Sequence, residues 1–254
     1  MMIKKLESRT ALVGDENQSI MGFAGAMPES MSIVKDLFKC SNMPLSVNWR
    51  CPIETLKLAQ EIVPEIKAHD GAIQGEVFRE RGDEFDVMKM QDGAMGLCRL
   101  NAPLIGYAFR LLKGMRKANI KGRDLSAGLE KMNKSMMKLK PSTSLEYERM
   151  LNDAKEAEIE HMEKKKMAGS RIDAMADRFD ALGIFNDNVD SPSQIAGAIK
   201  ELFSDSSEGV LLSSAHRSKG LEADHIYILE SDRIRMNKPD MTENDHKQEV
   251  NLNY

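Results

Sequence analysis

The chain has 254 residues, enough for one large domain or two modest lobes sharing a core. With 41% hydrophobic and 30% charged residues it has the balance of a globular protein, which excludes a disordered tail. The formal net charge of −4 does not by itself point to a nucleic-acid partner.

No apolar run has the length to cross a bilayer, and the opening Met-Met-Ile-Lys-Lys-Leu-Glu-Ser-Arg lacks a signal-peptide core, so no membrane partner is expected. Cys40, Cys51 and Cys98 are odd in number and without C-x-x-C spacing, which argues against a disulfide scaffold or a structural zinc site. A reducing, cytoplasmic setting follows as the expectation.

In chain order, Thr10–Val13 reads as a short strand running into Gly14-Asp15. Leu45–Val47 reads as a second strand, leading through Asn48-Trp49-Arg50 to Pro52 near the start of a helix with apolar Ile53, Leu56, Ala59 and Ile62-Val63. Met95–Leu100 predicts a strand and Pro103–Leu112 a helix. Val210–Ser213 and Ile226–Leu229 are two further strands separated by a polar loop. Strands alternating with helices predict an α/β fold with a parallel sheet.

The stretch from Leu125 to Phe203 reads differently. Tyr147, Met150-Leu151, Ala154 and His161-Met162 keep helical spacing along a charged segment. Ser170 with Asp173 reads as a capping box, opening a helix through Ile172, Met175-Ala176, Phe179 and Leu182 to a stop at Gly183. Ile195, Ile199 and Leu202-Phe203 give a third helix. The whole is expected to be a helical insertion in an α/β lobe.

Charge is segregated along the chain. Arg110, Lys113, Arg116, Lys117, Lys121, Arg123, Lys131, Lys134, Lys138 and Lys140 stand against only Asp124 and Glu130. That local excess is sufficient to neutralise several phosphates, although a solvated lysine-rich surface has the same composition.

Three segments bear chemistry. In Val13-Gly14-Asp15-Glu16-Asn17-Gln18-Ser19-Ile20, the Gln18 amide has both donor and acceptor, so it could touch a terminal phosphate and orient a water. In Asn48-Trp49-Arg50-Cys51-Pro52, an aromatic face suited to a base adjoins a guanidinium suited to phosphate. The third is His216-Arg217-Ser218-Lys219-Gly220-Leu221-Glu222, between two apolar strands. Taken singly, each has a plain structural reading: Gln18 in a turn, Trp49 in a core, Arg50 in a surface pair, His216 bonded to backbone.

Their joint order, V-G-D-x-x-Q-S-I-x-x-F-x-G-A, then N-W-R-C-P, then H-R-S-K-G-L-E, resembles the third, fourth and fifth motifs of the UvrD/Rep/PcrA helicases of superfamily 1. Arg99-Leu100-Asn101-Ala102-Pro103-Leu104 resembles the short block that follows the fourth motif there. The resemblance implies a RecA-like lobe with an inserted helical subdomain. Residues 1–35 would be the remnant of a first lobe, 36–124 with 205–254 the second lobe, and 125–204 the insertion. It implies ATP and Mg2+ as cofactors, and single-stranded and duplex DNA as partners, with translocation usually 3′ to 5′.

By the same resemblance, Gln18 would sense the γ-phosphate, Trp49 stack on adenine and Arg50 contact the γ-phosphate. Gly220 and Glu222 would lie near the nucleotide, and Phe23, His216 and Lys219 would touch DNA. Met21, Phe23 and Ala24 depart from the residues common at those positions, although Phe23 retains a ring that can stack on a base.

None of the 17 glycines is followed by lysine, so the chain carries no G-x-x-x-x-G-K-[ST] phosphate loop. Without its backbone amides and lysine, this stretch alone is expected to turn over no ATP, and its magnesium ligands are expected elsewhere in a longer protein. Gln248–Tyr254 resembles the opening of the family's sixth motif. The competing expectation is a non-catalytic nucleic-acid-binding module that uses residues 110–140. A narrower variant makes the parent protein a helicase–nuclease.

Overall fold

In the computed structural model, which describes residues 11–21, 25–27, 29–81, 85–204, 208–234, 241–252 and 254, the chain is an α/β protein whose strands pair in parallel. The elements in order are α1 (Ser30–Phe38), β1 (Val47–Asn48), α2 (Ile53–Gln60), β2 (Lys67–Ala68), β3 (Met95–Cys98), α3 (Asn101–Lys113), β4 (Ala118–Ile120) and α4 (Arg123–Met137). There follow α5 (Ser144–Lys164), α6 (Gly169–Asp187), α7 (Ile195–Leu202), β5 (Val210–Ser214), β6 (Ile226–Ile228) and α8 (Glu243–Asn251). Among the described residues no helix is long and apolar enough to cross a membrane.

The chain divides into two units, Met1–Phe78 with Met236–Tyr254, and Arg79–Arg235. Residues 36–78 thus fall in the unit that holds both chain ends, whereas the sequence reading groups them with 79–124.

In the larger unit the sheet order is β4-β5-β3-β6. β5 and β3 are the inner strands, and β5 is buried at four of its five positions, as expected for Val-Leu-Leu-Ser-Ser covered on both faces. Parallel register aligns Met95 with Leu211 and Cys98 with Ser214, so the ends of β3 and β5 finish level. The turn into β5 uses Gly209 at φ 81°, where an added Cβ would come 2.1 Å from the Lys117 carbonyl oxygen. Only glycine fits there.

Helices α3 to α7 and the sheet share one apolar core. Leu104, Ile105 and Leu111 of α3, Leu125 and Leu129 of α4, Leu182 and Phe185 of α6, and Ile195 and Ile199 of α7 lie in the same buried cluster as Ile120, Val210 and Leu212. Phe109 meets Phe185 edge-on, with centroids 5.4 Å apart. The helical stretch is therefore packed into the α/β unit and not suspended from it.

Several expectations are corrected. Ala11–Val13 is not a strand: Leu12 and Val13 are exposed and pair with no ladder, and the chain runs on into a 3-10 turn at Glu16–Gln18. Thr10 lies outside the described residues. The Ser170–Asp173 capping box does not form; α6 begins at Gly169, with Ala168 at its N-cap and no side-chain cap. Gly183 does not stop α6, which continues to Asp187, because Leu182 and Phe185 on either side of it are both buried. The α2 helix ends at Gln60, short of Ile62-Val63, and α3 starts at Asn101, before Pro103. Strands β2 and β4 carry only two and three residues and leave no periodic signal.

One buried polar pair fixes the helical part. The Tyr147 hydroxyl donates to Asn133 Oδ1 at 2.9 Å, linking α5 to α4 at full burial of the ring. Burial pushes the Tyr147 hydroxyl pKa up, so it stays a donor across the working range. Tyr147→Phe strands the Asn133 oxygen and is expected to cost about 1–3 kcal/mol of stability in urea titrations followed by circular dichroism. A change within error would mean that water or a rearranged amide replaces the bond.

Candidate functional site

The residues singled out in the sequence fall in both units. In the smaller unit, Gln18 closes the 3-10 turn. Asp15 accepts from the Asn17 amide at 2.9 Å, and its second oxygen accepts from Gln18 Nε2 at 2.9 Å, which fixes which way the Gln18 amide points. Helix α8 supports this turn from below: Asn251 Nδ2 donates to the carbonyls of Glu16 at 3.0 Å and Ser19 at 3.3 Å. Burial, reinforced by Asp15 and Cys51, raises the Tyr254 pKa.

Trp49 sits on a turn built by its own neighbour. Asn48 Oδ1 accepts from the amides of Arg50 at 2.8 Å and Cys51 at 2.7 Å, an Asx-type turn that thrusts the intervening side chains outward. The parallel pairing of β1 with β2 sets Asn48 against Ala68, so the next residues, Trp49 and His69, meet. Their rings stack at 4.6 Å and 10°. His69 Nδ1 accepts from the Gly71 amide at 3.0 Å, which holds the imidazole plane parallel to the indole. Trp49 remains 76% exposed and is no core residue. The depression around it is lined by Val47, Lys67, His69 and Asp70. Arg50 is exposed on the same turn.

Phe23 lies outside the described residues.

In the larger unit, the level ends of β3 and β5 bring two loops together. Arg99 Nη1 lies 2.8 Å from His216 Nδ1 and 3.0 Å from Nε2. Arg217 Nη1 donates to Asn101 Oδ1 at 3.0 Å. Gly122, the N-cap of α4 at φ 153°, lies beside Arg217: a Cβ there would make ordinary contact with the guanidinium at 3.5 Å. Two guanidiniums, those of Arg99 and Arg217, thus stand at the carboxyl edge of the sheet, where α/β proteins bind ligands. Lys219, Gly220 and Glu222 follow on the exposed part of the same loop, with Gly220 at φ 85°.

An aspartate from α6 organises this edge. Leu100 occupies the N-cap of α3 and supplies no side-chain acceptor. Asp177 takes its place: its carboxylate accepts from the Asn101 amide at 3.0 Å, the Ala102 amide at 2.9 Å and Asn101 Nδ2 at 2.6 Å. The next residue, Pro103, has no N–H to satisfy, so the first turn of α3 is fully accounted for. A carboxylate there also complements the helix dipole.

Arg99 and Asn101 carry a trace in the sequence as the block after β3, and Arg217 lies within the third motif-like segment. Asp177 has no local signal, since its partners are more than 70 residues away. His69 is likewise visible only through β1–β2 pairing.

The donor set fits some implied groups and not others. The Trp49 face fits a planar base, and the Arg99–His216–Arg217 cluster fits an anion. Among the described residues no group of three or more His, Cys, Asp or Glu side chains converges to hold a metal ion, so these residues do not fit a magnesium site. Compared with protein-family models, curated proteins and solved structures, the chain finds no match.

Burial, reinforced by Arg99 and Arg217, holds the His216 pKa down from 6.5 to about 4. The unfolded chain therefore binds this proton more readily than the folded one. The resulting stability is complete above about pH 6.5 and is lost as pH falls towards 4, a margin on the order of 3 kcal/mol. His216→Gln is expected to flatten the fall in melting temperature across that window. A profile identical to that of the parent chain would show that His216 titrates normally.

Proposed function

We propose that this chain is part of an ATP-dependent DNA helicase of the UvrD-like kind, contributing a RecA-like lobe with a helical subdomain. The observation that carries the reading is the meeting of Arg99 and Asn101 with His216 and Arg217, from two motif-like segments more than 110 residues apart, at one carboxyl sheet edge. A parallel sheet with that edge lined by cations is suited to holding the phosphates of a single strand.

In this reading, Trp49 provides a face for adenine, braced from behind by His69. Arg50 stands beside it for the phosphates, and Gln18, oriented by Asp15, reaches the terminal phosphate. ATP supplies the free energy for translocation. This chain's own residues bind and orient. Because it carries no phosphate loop, the isolated chain holds adenine nucleotides weakly and does not hydrolyse them.

One observation favours a second reading. On α4, Lys131 and Lys134 are exposed three residues apart, and Lys138, the helical-conformation C-cap four residues further, continues that face, with Lys140 just beyond. Such a face would serve a non-catalytic nucleic-acid-binding module.

The deciding experiment is to sequence the coding DNA past both ends of the frame. A Gly-Lys-Thr loop upstream and a Thr-Arg pair shortly downstream of Tyr254 are expected; stop codons bracketing the frame would overturn the helicase reading and leave the α4 module. Trp49 is the only tryptophan, so its fluorescence reads the proposed adenine face directly. ATP is expected to quench it with an affinity on the order of millimolar, the range left to a ligand held mainly by one stacking face. Tight, magnesium-dependent quenching would contradict a site with only one wall.

A further inference from the structure

We infer that Asp177 is a positioning residue for the Arg217 guanidinium, acting through Asn101, so that the helical part of the fold controls how the loop after β5 grips a phosphate chain. This rests on the nucleic-acid reading above.

The geometry leaves Asn101 one orientation. Its Nδ2 donates to Asp177 at 2.6 Å, which turns Oδ1 towards Arg217 Nη1 at 3.0 Å. Were the amide to flip, Nδ2 would face the guanidinium, two donors with no acceptor between them. Asp177 is only 5% exposed, and both its oxygens accept from the first turn of α3, so it cannot turn aside without leaving buried N–H groups unsatisfied. Asp177 belongs to α6, whose Phe179 and Phe185 lie in the buried cluster. A shift of α6 is therefore transmitted, through two hydrogen bonds, to a cation at the sheet edge.

Arg217 is itself part of a balanced cluster. Burial lowers its pKa, Asp124 and Asp177 oppose that, and Arg178 adds to it. Its charge persists, because a guanidinium stays protonated throughout the working range. What Asp177 governs is the direction in which that charge points.

The test uses the full chain and a fluorescein-labelled oligothymidine, with anisotropy measured across a salt series and melting temperature measured in parallel. Arg217→Gln is expected to lower the salt slope by about one, as for the loss of one phosphate contact. Asp177→Asn is expected to weaken binding about ten-fold, the factor carried by one charge-assisted hydrogen bond. In the Arg217→Gln background it is expected to weaken binding no further, while lowering the melting temperature in both.

Equal weakening in both backgrounds, or none in either, would overturn the relay. If Asp177→Asn fails to fold, Asn101→Ala takes its place, since it cuts the relay yet leaves both backbone bonds to Asp177; the same outcomes apply. Failure of the parent chain to bind oligothymidine at low salt would instead remove the nucleic-acid reading, and the relay with it.

Discussion

The carboxyl edge of the sheet depends on the register of β3 against β5. Parallel pairing of Cys98 with Ser214 ends the two strands at the same level, so Arg99 and the Ala215–Gly220 loop emerge side by side. A slip of one residue here would turn Val210 and Leu212 to the face that Leu211 and Ser213 now occupy. Val210 and Leu212 are fully buried, and their burial holds the register. The polar contacts at the edge are downstream of that apolar constraint.

Helix α3 shows how the apolar core and the polar edge are joined. Its inward face carries Leu104, Ile105, Ala108 and Leu111, all fully buried, which locks the helix against sheet and α6 alike. Its first turn begins with Leu100, which cannot cap, and includes Pro103, which removes a donor. The remaining donors at Asn101 and Ala102 need an acceptor from elsewhere. Packing of α6 against α3 delivers the Asp177 carboxylate to that point, so one side chain both completes a helix and orients Asn101. A structural requirement and a loop geometry are thus satisfied by the same residue.

The smaller unit reaches its exposed ring stack by a different route. Its two-residue strands bury almost nothing, and the turn at Asn48 is held by side-chain to backbone hydrogen bonds. Order there comes from local hydrogen bonding, which suffices to aim Trp49 and Arg50 outward. The stack with His69 uses one indole face and leaves the tryptophan largely open to solvent.

Much of this was legible in the chain. The apolar runs read at Met95–Leu100, Val210–Ser213 and Ile226–Leu229 announced strands that form at Met95–Cys98, Val210–Ser214 and Ile226–Ile228, and alternation with helices announced parallel pairing. Trp49, Arg50, His216 and Lys219 stood out only as candidates in polar loops. Local patterns failed where a distant partner competes with them. Ser170 and Asp173 have the spacing of a capping box, yet α6 starts earlier; Gly183 looks like a stop, yet buried neighbours carry the helix past it. Asp177 and His69 had no signal of their own. Their roles come from tertiary pairing alone, since a carboxylate caps a helix 76 residues away, and an imidazole meets an indole, only after packing and strand register have brought them within reach.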